Sequence, residues 1–236
     1  MVLGYEVKQG IGQKESWSFD GPIKTRETYE GQFEDLILEL FPGANIDRYF
    51  ESFLSAQREN GFGANVLDLM GGAYFIENQG AADSLTGLRF GPFDRSQLPE
   101  GYSHSKVPTE VLGDILNLET WKKLDLSMAQ RGIDSMDLIV LNPVGGWRPF
   151  NSSFDLTYGA FQETLKLAAQ RLSSNGHMYF LIEPQNYFPA QDFDSAQVRE
   201  TTEQYKNHPT HKLILKPKFT TNGNSLYGFT GALIPK

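Results

Sequence analysis

Apolar positions in this chain change their spacing near residue 65. Before that point they recur at helical intervals. Phe33, Leu36, Ile37 and Leu40 fall at i, i+3, i+4 and i+7, and Pro42-Gly43 stops that stripe. Asn45 is placed to cap a second helix, with Ile46, Tyr49, Phe50, Phe53 and Leu54 on one face and Asn60-Gly61 at its end. Residues 1–26 are polar, bear glycine and show no period, so they read as an irregular arm. After Asn65, short apolar runs alternate with amphipathic stretches. The pattern predicts strands over 65–69, 84–90, 106–112, 136–141, 177–182, 212–215 and 226–233. Between them it predicts a short helix over 74–83 and a helix with Leu118, Trp121, Leu124 and Met128 on its inner face. A longer helix carries Phe161, Leu165, Ala168 and Leu172 and ends at Asn175-Gly176. The last spans 196–205.

Alternation of strand and helix predicts an α/β fold: a three-layer sandwich around a seven-stranded, mostly parallel sheet. No helix separates the last two strands, so they should close the chain as an antiparallel C-terminal hairpin, with one reversed strand at an end of the sheet. Residues 1–62 read as an N-terminal arm and helical extension, a cap over a domain spanning 63–236.

Composition narrows the chemistry. At 236 residues the chain can bury a core without metals or disulfides. It has no cysteine, which excludes thiolate metal sites and a cysteine nucleophile. A net charge of −8 repels a phosphate backbone, so nucleic acid is disfavoured as a partner. No apolar run is long enough to span a membrane. The first residues lack the basic flank and apolar stretch of a secretory signal, so a cytoplasmic location is the default expectation. His208 and His211 form H-P-T-H without metal-ligand spacing, and no metal is expected. The phosphate-binding lysine loop, the serine-nucleophile elbow and the dinucleotide glycine fingerprint are all missing.

In an open parallel sheet, ligands bind beyond the carboxyl ends of strands where strand order reverses. Residues following the predicted strands are therefore the informative ones. N-V-L-D-L-M-G-G-A (Asn65–Ala73) delivers a carboxylate, Asp68, to such an edge and then turns at Gly71 and Gly72. G-D-I-L (Gly113–Leu116), N-P-V-G-G-W (Asn142–Trp147) and E-P-Q-N-Y (Glu183–Tyr187) follow later strands. Asn142-Pro143 also suits a plain strand-ending turn, Asp114 a helix cap, and Glu183 a solvated loop carboxylate.

In order and spacing, these segments resemble the class I S-adenosylmethionine-dependent methyltransferases over residues 65–236. V-L-D-L-M-G-G-A is similar to the family's first motif, G-D-I-L to the segment whose acidic residue meets the adenine amino group, and D-L-I-V-L-N-P to its fourth motif. R-L-S-S-N-G-H-M-Y-F is similar to the helix-turn-strand that leads into strand five, and the closing hairpin to its reversed seventh strand. The resemblance implies S-adenosyl-L-methionine as cofactor, held by Asp68, Gly71, Gly72, Arg89, Asp114, Ile115 and Asn142. It implies methyl transfer to nitrogen or oxygen of a small molecule or protein side chain, with Asn142 and the Pro143 carbonyl holding the acceptor. Trp147, Phe150 and Tyr187 are placed to wall the acceptor pocket. Met70 and Tyr74 stand where the family has glycines, and Arg89 where it has a ribose-clasping carboxylate. Those replacements keep open an inactive, methyltransferase-like binding module. A nucleotide-dependent oxidoreductase is the further alternative.

Overall fold

The computed structural model describes residues 35–44, 49, 52, 55–56, 59, 65–69, 85–86, 111, 115–141, 153–183 and 187–236. Among them, seven strands join one mixed sheet: β1 (Val66–Leu69), β2 (Leu85–Thr86), β3 (Met136–Leu141), β4 (Leu172–Ile182), β5 (Phe188–Pro189), β6 (His211–Phe219) and β7 (Ser225–Pro235). β2, β1, β3 and β4 lie side by side in that order, all parallel. β7 runs antiparallel to β4 and carries β6 on its other edge. Leu226 pairs with Phe219 of β6 and with Phe188 of β5, so β5 continues the line of β4 along β7.

Helices α1 (Leu118–Gln130), α2 (Phe154–Ala169) and α3 (Ala196–Lys206) start where short polar side chains accept orphan backbone N–H groups. Asn117 accepts from Glu119 N, Ser153 from Leu156 N and Ser195 from Val198 N. Each helix turns apolar residues inward. Trp121, Leu124 and Met128 of α1 and Phe161, Leu165 and Ala168 of α2 pack in one cluster with Leu67, Leu69, Ile139, Leu141, Met178, Phe180 and Phe229. Alternate residues of the same strands (Val66, Leu138, Val140, Tyr179, Leu181, Ala232) point the other way and join Leu36 and Ile37 of the helical segment 35–40. That segment is followed by Gly43 at φ +91°, which agrees with a stop at Pro42-Gly43. Residues 35–44, with Tyr49, thus supply apolar cover for one face of the sheet.

Several elements differ from the periodicity. Leu118 falls on the predicted inner face of α1 yet is 60% exposed; as the first residue of the helix it leaves the burial of the first turn to Thr120 and Trp121. α2 ends at Ala169, and Leu172 already pairs with Met136 as the first residue of β4. A helix and a strand both bury an apolar residue at that position, so period alone does not separate them. Asn175-Gly176 lies inside β4, where the β3–β4 register shifts between Met136 and Leu138. The reversed strand β7 lies inside the sheet, between β4 and β6. β5 was not foreseen. The predicted helices at 46–60 and 74–83 and the strands at 84–90 and 106–112 fall largely outside the described residues; Leu85–Thr86 is strand, and Val111 is buried but not in a strand.

Close approach between strands explains one glycine. Gly231 pairs with Phe180 across β4 and β7, and a Cβ there would lie 2.6 Å from the Phe180 ring and against the carbonyl of Ile214. Phe180 fills the space over the glycine and also meets Phe161, with ring centroids 4.9 Å apart.

Candidate functional site

β1 is the pivot of the sheet. The chain leaves it for β2 on one side, then crosses to β3 on the other. This is the reversal of strand order at which a crevice forms beyond the carboxyl ends of parallel strands. Leu69 and Leu141, the last residues of β1 and β3, are register partners. The chain continues from them into the two segments that the sequence singles out.

Asp68 is the penultimate residue of β1, opposite Val140 on one side and Thr86 on the other. It is fully buried. By strand alternation its side chain shares a face with Val66, under the N-terminal cover, while Leu67 and Leu69 face α1 and α2. A carboxylate contributes nothing to apolar packing and resists leaving water, so its burial at this edge calls for hydrogen-bond donors or a positive charge.

Ile115 is also fully buried, in the cluster that contains Leu67 and Leu69. Its carbonyl accepts the indole N–H of Trp121 at 2.6 Å, which ties the turn before α1 to the helix. Arg171 lies over that indole at 4.7 Å and forms a two-point ion pair with Asp125, at 2.6 and 2.8 Å. Tyr187 stands 69% exposed just before β5, where Phe188 is buried against Phe154 of α2. Gly71, Gly72, Arg89, Asp114, Asn142, Pro143, Trp147 and Phe150 lie outside the described residues.

Two polar groups of residues went unforeseen. Asp137, near the amino end of β3, accepts from Asn65 N at 2.9 Å and from the Ser173 hydroxyl at 3.2 Å. Burial raises its carboxyl pKa against the lowering effect of those two bonds. On the covered face, Tyr179 Oη lies 2.9 Å from Tyr49 Oη and 2.9 Å from His177 Nδ1. Burial, more than the neighbouring His211, lowers the His177 pKa to about 4. Burial, more than Tyr49, raises that of Tyr179. The strand alternation of His177 and Tyr179 and the place of Tyr49 on a helix face were visible in sequence; the pairing of Tyr49 with Tyr179 across 130 residues was not. Among the described residues no helix is long and apolar enough to cross a membrane, and no group of His, Cys, Asp or Glu side chains is arranged to hold a metal ion.

No protein-family model matches the chain, and no curated protein matches it either. Among solved structures it is similar to an O-methyltransferase from Bacillus cereus in complex with SAH, at 11% identity over 90% of this chain and 92% of that one, TM-score 0.41. It is also similar to the O-methyltransferase TomG from Streptomyces achromogenes in complex with SAM, at 11% identity over 91% of this chain and 92% of that one, TM-score 0.36. Another similar structure is the N-methyltransferase NodS from Bradyrhizobium japonicum, at 15% identity over 80% of this chain and 97% of that one, TM-score 0.33. Likeness of this extent decides neither fold nor activity; the strand order and the burial of Asp68 stand independently of it.

Proposed function

We propose that the chain is an S-adenosylmethionine-dependent methyltransferase that acts in the cytoplasm on nitrogen or oxygen of a small molecule or protein side chain. The observation that carries this reading is the fully buried Asp68 at the carboxyl end of β1, at the reversal of strand order. The three-layer architecture belongs to the same reading. Residues 63–236 form the catalytic domain and residues 1–62 an N-terminal arm and helical extension that caps it, with Leu36 and Ile37 packed on the sheet.

In this reading Asp68 accepts hydrogen bonds from the cofactor, Gly71 and Gly72 let the backbone turn beside it, and Arg89, Asp114 and Ile115 border its nucleoside. The cofactor supplies an electrophilic methyl group on a positively charged sulfur. The chain's own task is alignment: Asn142 and the Pro143 carbonyl hold the acceptor atom in line, and Trp147, Phe150 and Tyr187 restrict its approach and exclude water.

Calorimetric titration with S-adenosylmethionine and a melting curve at saturating cofactor test the assignment. A ligand that binds only the folded state at a hundred times its Kd stabilises it by about 2.7 kcal/mol, a shift of several degrees. Neither heat nor shift would remove the methyltransferase reading.

A further inference from the structure

β6 is an edge of the sheet: β7 pairs with one side of it, and among the described residues no strand pairs with the other. An open edge presents backbone groups to which a further strand can add. In an antiparallel pair, alternate residues bond the neighbour, and those between them turn their N–H and C=O away. Lys236 N donates to the Thr210 carbonyl at 2.9 Å, which sets the phase of that alternation. Thr210, Lys212, Ile214 and Lys216 therefore bond β7, while His211, Leu213, Leu215 and Pro217 turn their backbone outward. Both ends of this outer row are closed. The His211 N–H donates to His208 Nδ1 at 3.2 Å, and Pro217 has no N–H. Two donors remain between them, on Leu213 and Leu215, in a stretch that is only half-buried.

The side chains beside this slot describe its occupant. Leu213 and Leu215 lean on the apolar cluster that includes Val198 and Tyr205 of α3. Lys212, Ile214, Lys216 and Lys218 fall on the opposite face by alternation, where Ile214 joins Leu36 and Ile37. Three ammonium groups thus line one edge of a chain whose net charge is −8. That row disfavours a second copy of β6. Antiparallel pairing centred on Ile214 sets Lys212 opposite Lys216, and pairing centred on Leu215 sets Lys212 opposite Lys218. Like charges directly opposite destabilise a sheet, whereas acidic residues there are attracted. A polyanion without a peptide backbone gains the charge alone; an extended acidic peptide also fills the two donors. Lys216 already meets Glu39, so Lys212 is the charge to test.

We infer that the outer edge of β6 is a docking slot for a short extended segment of a protein partner in which acidic residues alternate with apolar ones. Backbone bonds at Leu213 and Leu215 set its register, and acidic side chains beside Lys212 and Lys216 select it. The inference stands apart from the methyltransferase reading.

The test titrates the isotope-labelled full chain, by NMR, with the end-capped peptide Gly-Glu-Val-Glu-Val-Glu-Gly. Its valines match Leu213 and Leu215, and its glutamates match Lys212, Ile214 and Lys216. The amides of Leu213 and Leu215 should shift and gain protection from hydrogen exchange. Methylating both valine nitrogens removes their bonds to β6 and should weaken binding at least about tenfold. A peptide with lysine at every glutamate position should bind at least about tenfold more weakly. Lys212→Glu should weaken the glutamate peptide about fivefold and leave the melting curve unchanged. Unmoved Leu213 and Leu215 amides, or equal binding of the methylated or the lysine peptide, overturns the inference. So does self-association of the free chain that protects the same two amides, which gives the slot to a second copy.

Discussion

The hydroxyls of Tyr49 and Tyr179 lie 2.9 Å apart across 130 residues of chain. The contact joins the N-terminal region to the middle of β4, and Tyr179 passes it on to His177 Nδ1. Phe41 stacks on Tyr49, and Lys216 of β6 donates to the Glu39 carbonyl, so the cover is also tied at the sheet edge. Tyr179→Phe removes both hydroxyl contacts at a buried site and should cost about 1–3 kcal/mol, whereas Tyr49→Phe should cost about 0.5–1.5 kcal/mol. Urea unfolding checks both values. A Tyr179→Phe protein as stable as wild type would mean that apolar contacts alone hold the cover.

Acid should loosen the fold through His177. Its pKa is lowered from about 6.5 to about 4 by burial first and by His211 second. His211 shifts in the same direction, with burial again the largest cause. A folded-state pKa below the unfolded one means that the unfolded chain binds the proton more readily. Stability is therefore complete above about pH 6.5 and falls as pH drops toward 4, by up to about 3 kcal/mol for His177. Asp137 acts oppositely, since its raised pKa favours the folded chain under more acidic conditions. Chemical denaturation between pH 7.5 and 4.5 should show the decline, and His177→Gln should flatten it. An unchanged slope in that variant would assign the acid sensitivity elsewhere.

Period and turn chemistry made much of the frame legible. Met136–Leu141 is the strand that its apolar run predicts, and Ala196–Lys206 adds one residue to the predicted helix. Both are short elements bounded by strong signals. Leu172 was misassigned because burial is all that its apolar character reports, and a helix end and a strand start bury it equally. The internal position of β7 was not readable because it follows from pairing partners rather than local pattern. Of the candidate site, Asp68 was legible as a carboxylate ending an apolar run, and the structure buries it fully at a strand-order reversal. The Tyr49–Tyr179–His177 chain was not, since hydrogen bonds between distant segments leave no period.

Gly231 should not tolerate a side chain. A Cβ there meets the Ile214 carbonyl of β6 and the Phe180 ring of β4 together. The ring can shift, but the backbone carbonyl cannot move without opening the β6–β7 ladder. Gly231→Ala should therefore cost about 1–3 kcal/mol, the range for overpacking, and lower the melting temperature by several degrees. Phe180→Leu added to it should recover only part of the loss, because the carbonyl clash remains. Full recovery would make the ring the sole obstacle.

Asp68→Asn separates the two reasons for a buried carboxylate. If Asp68 serves the cofactor, removing its charge weakens hydrogen bonds to an ammonium or hydroxyl worth about 1.5–3 kcal/mol, a ten- to hundredfold rise in Kd. The amide keeps the volume and one acceptor, so the free protein should still fold, and its melting temperature reports how much Asp68 contributes to the fold itself. Asn142→Ala, aimed at the acceptor, should lower turnover more than cofactor affinity. On the proposed reading, in which Met70 replaces a cofactor-loop glycine and crowds the ligand, Met70→Gly should tighten the complex. The discriminating result is titration of Asp68→Asn with S-adenosylmethionine beside a melting curve without it. Unchanged affinity with a lower melting temperature would make Asp68 a structural carboxylate and move the cleft away from β1.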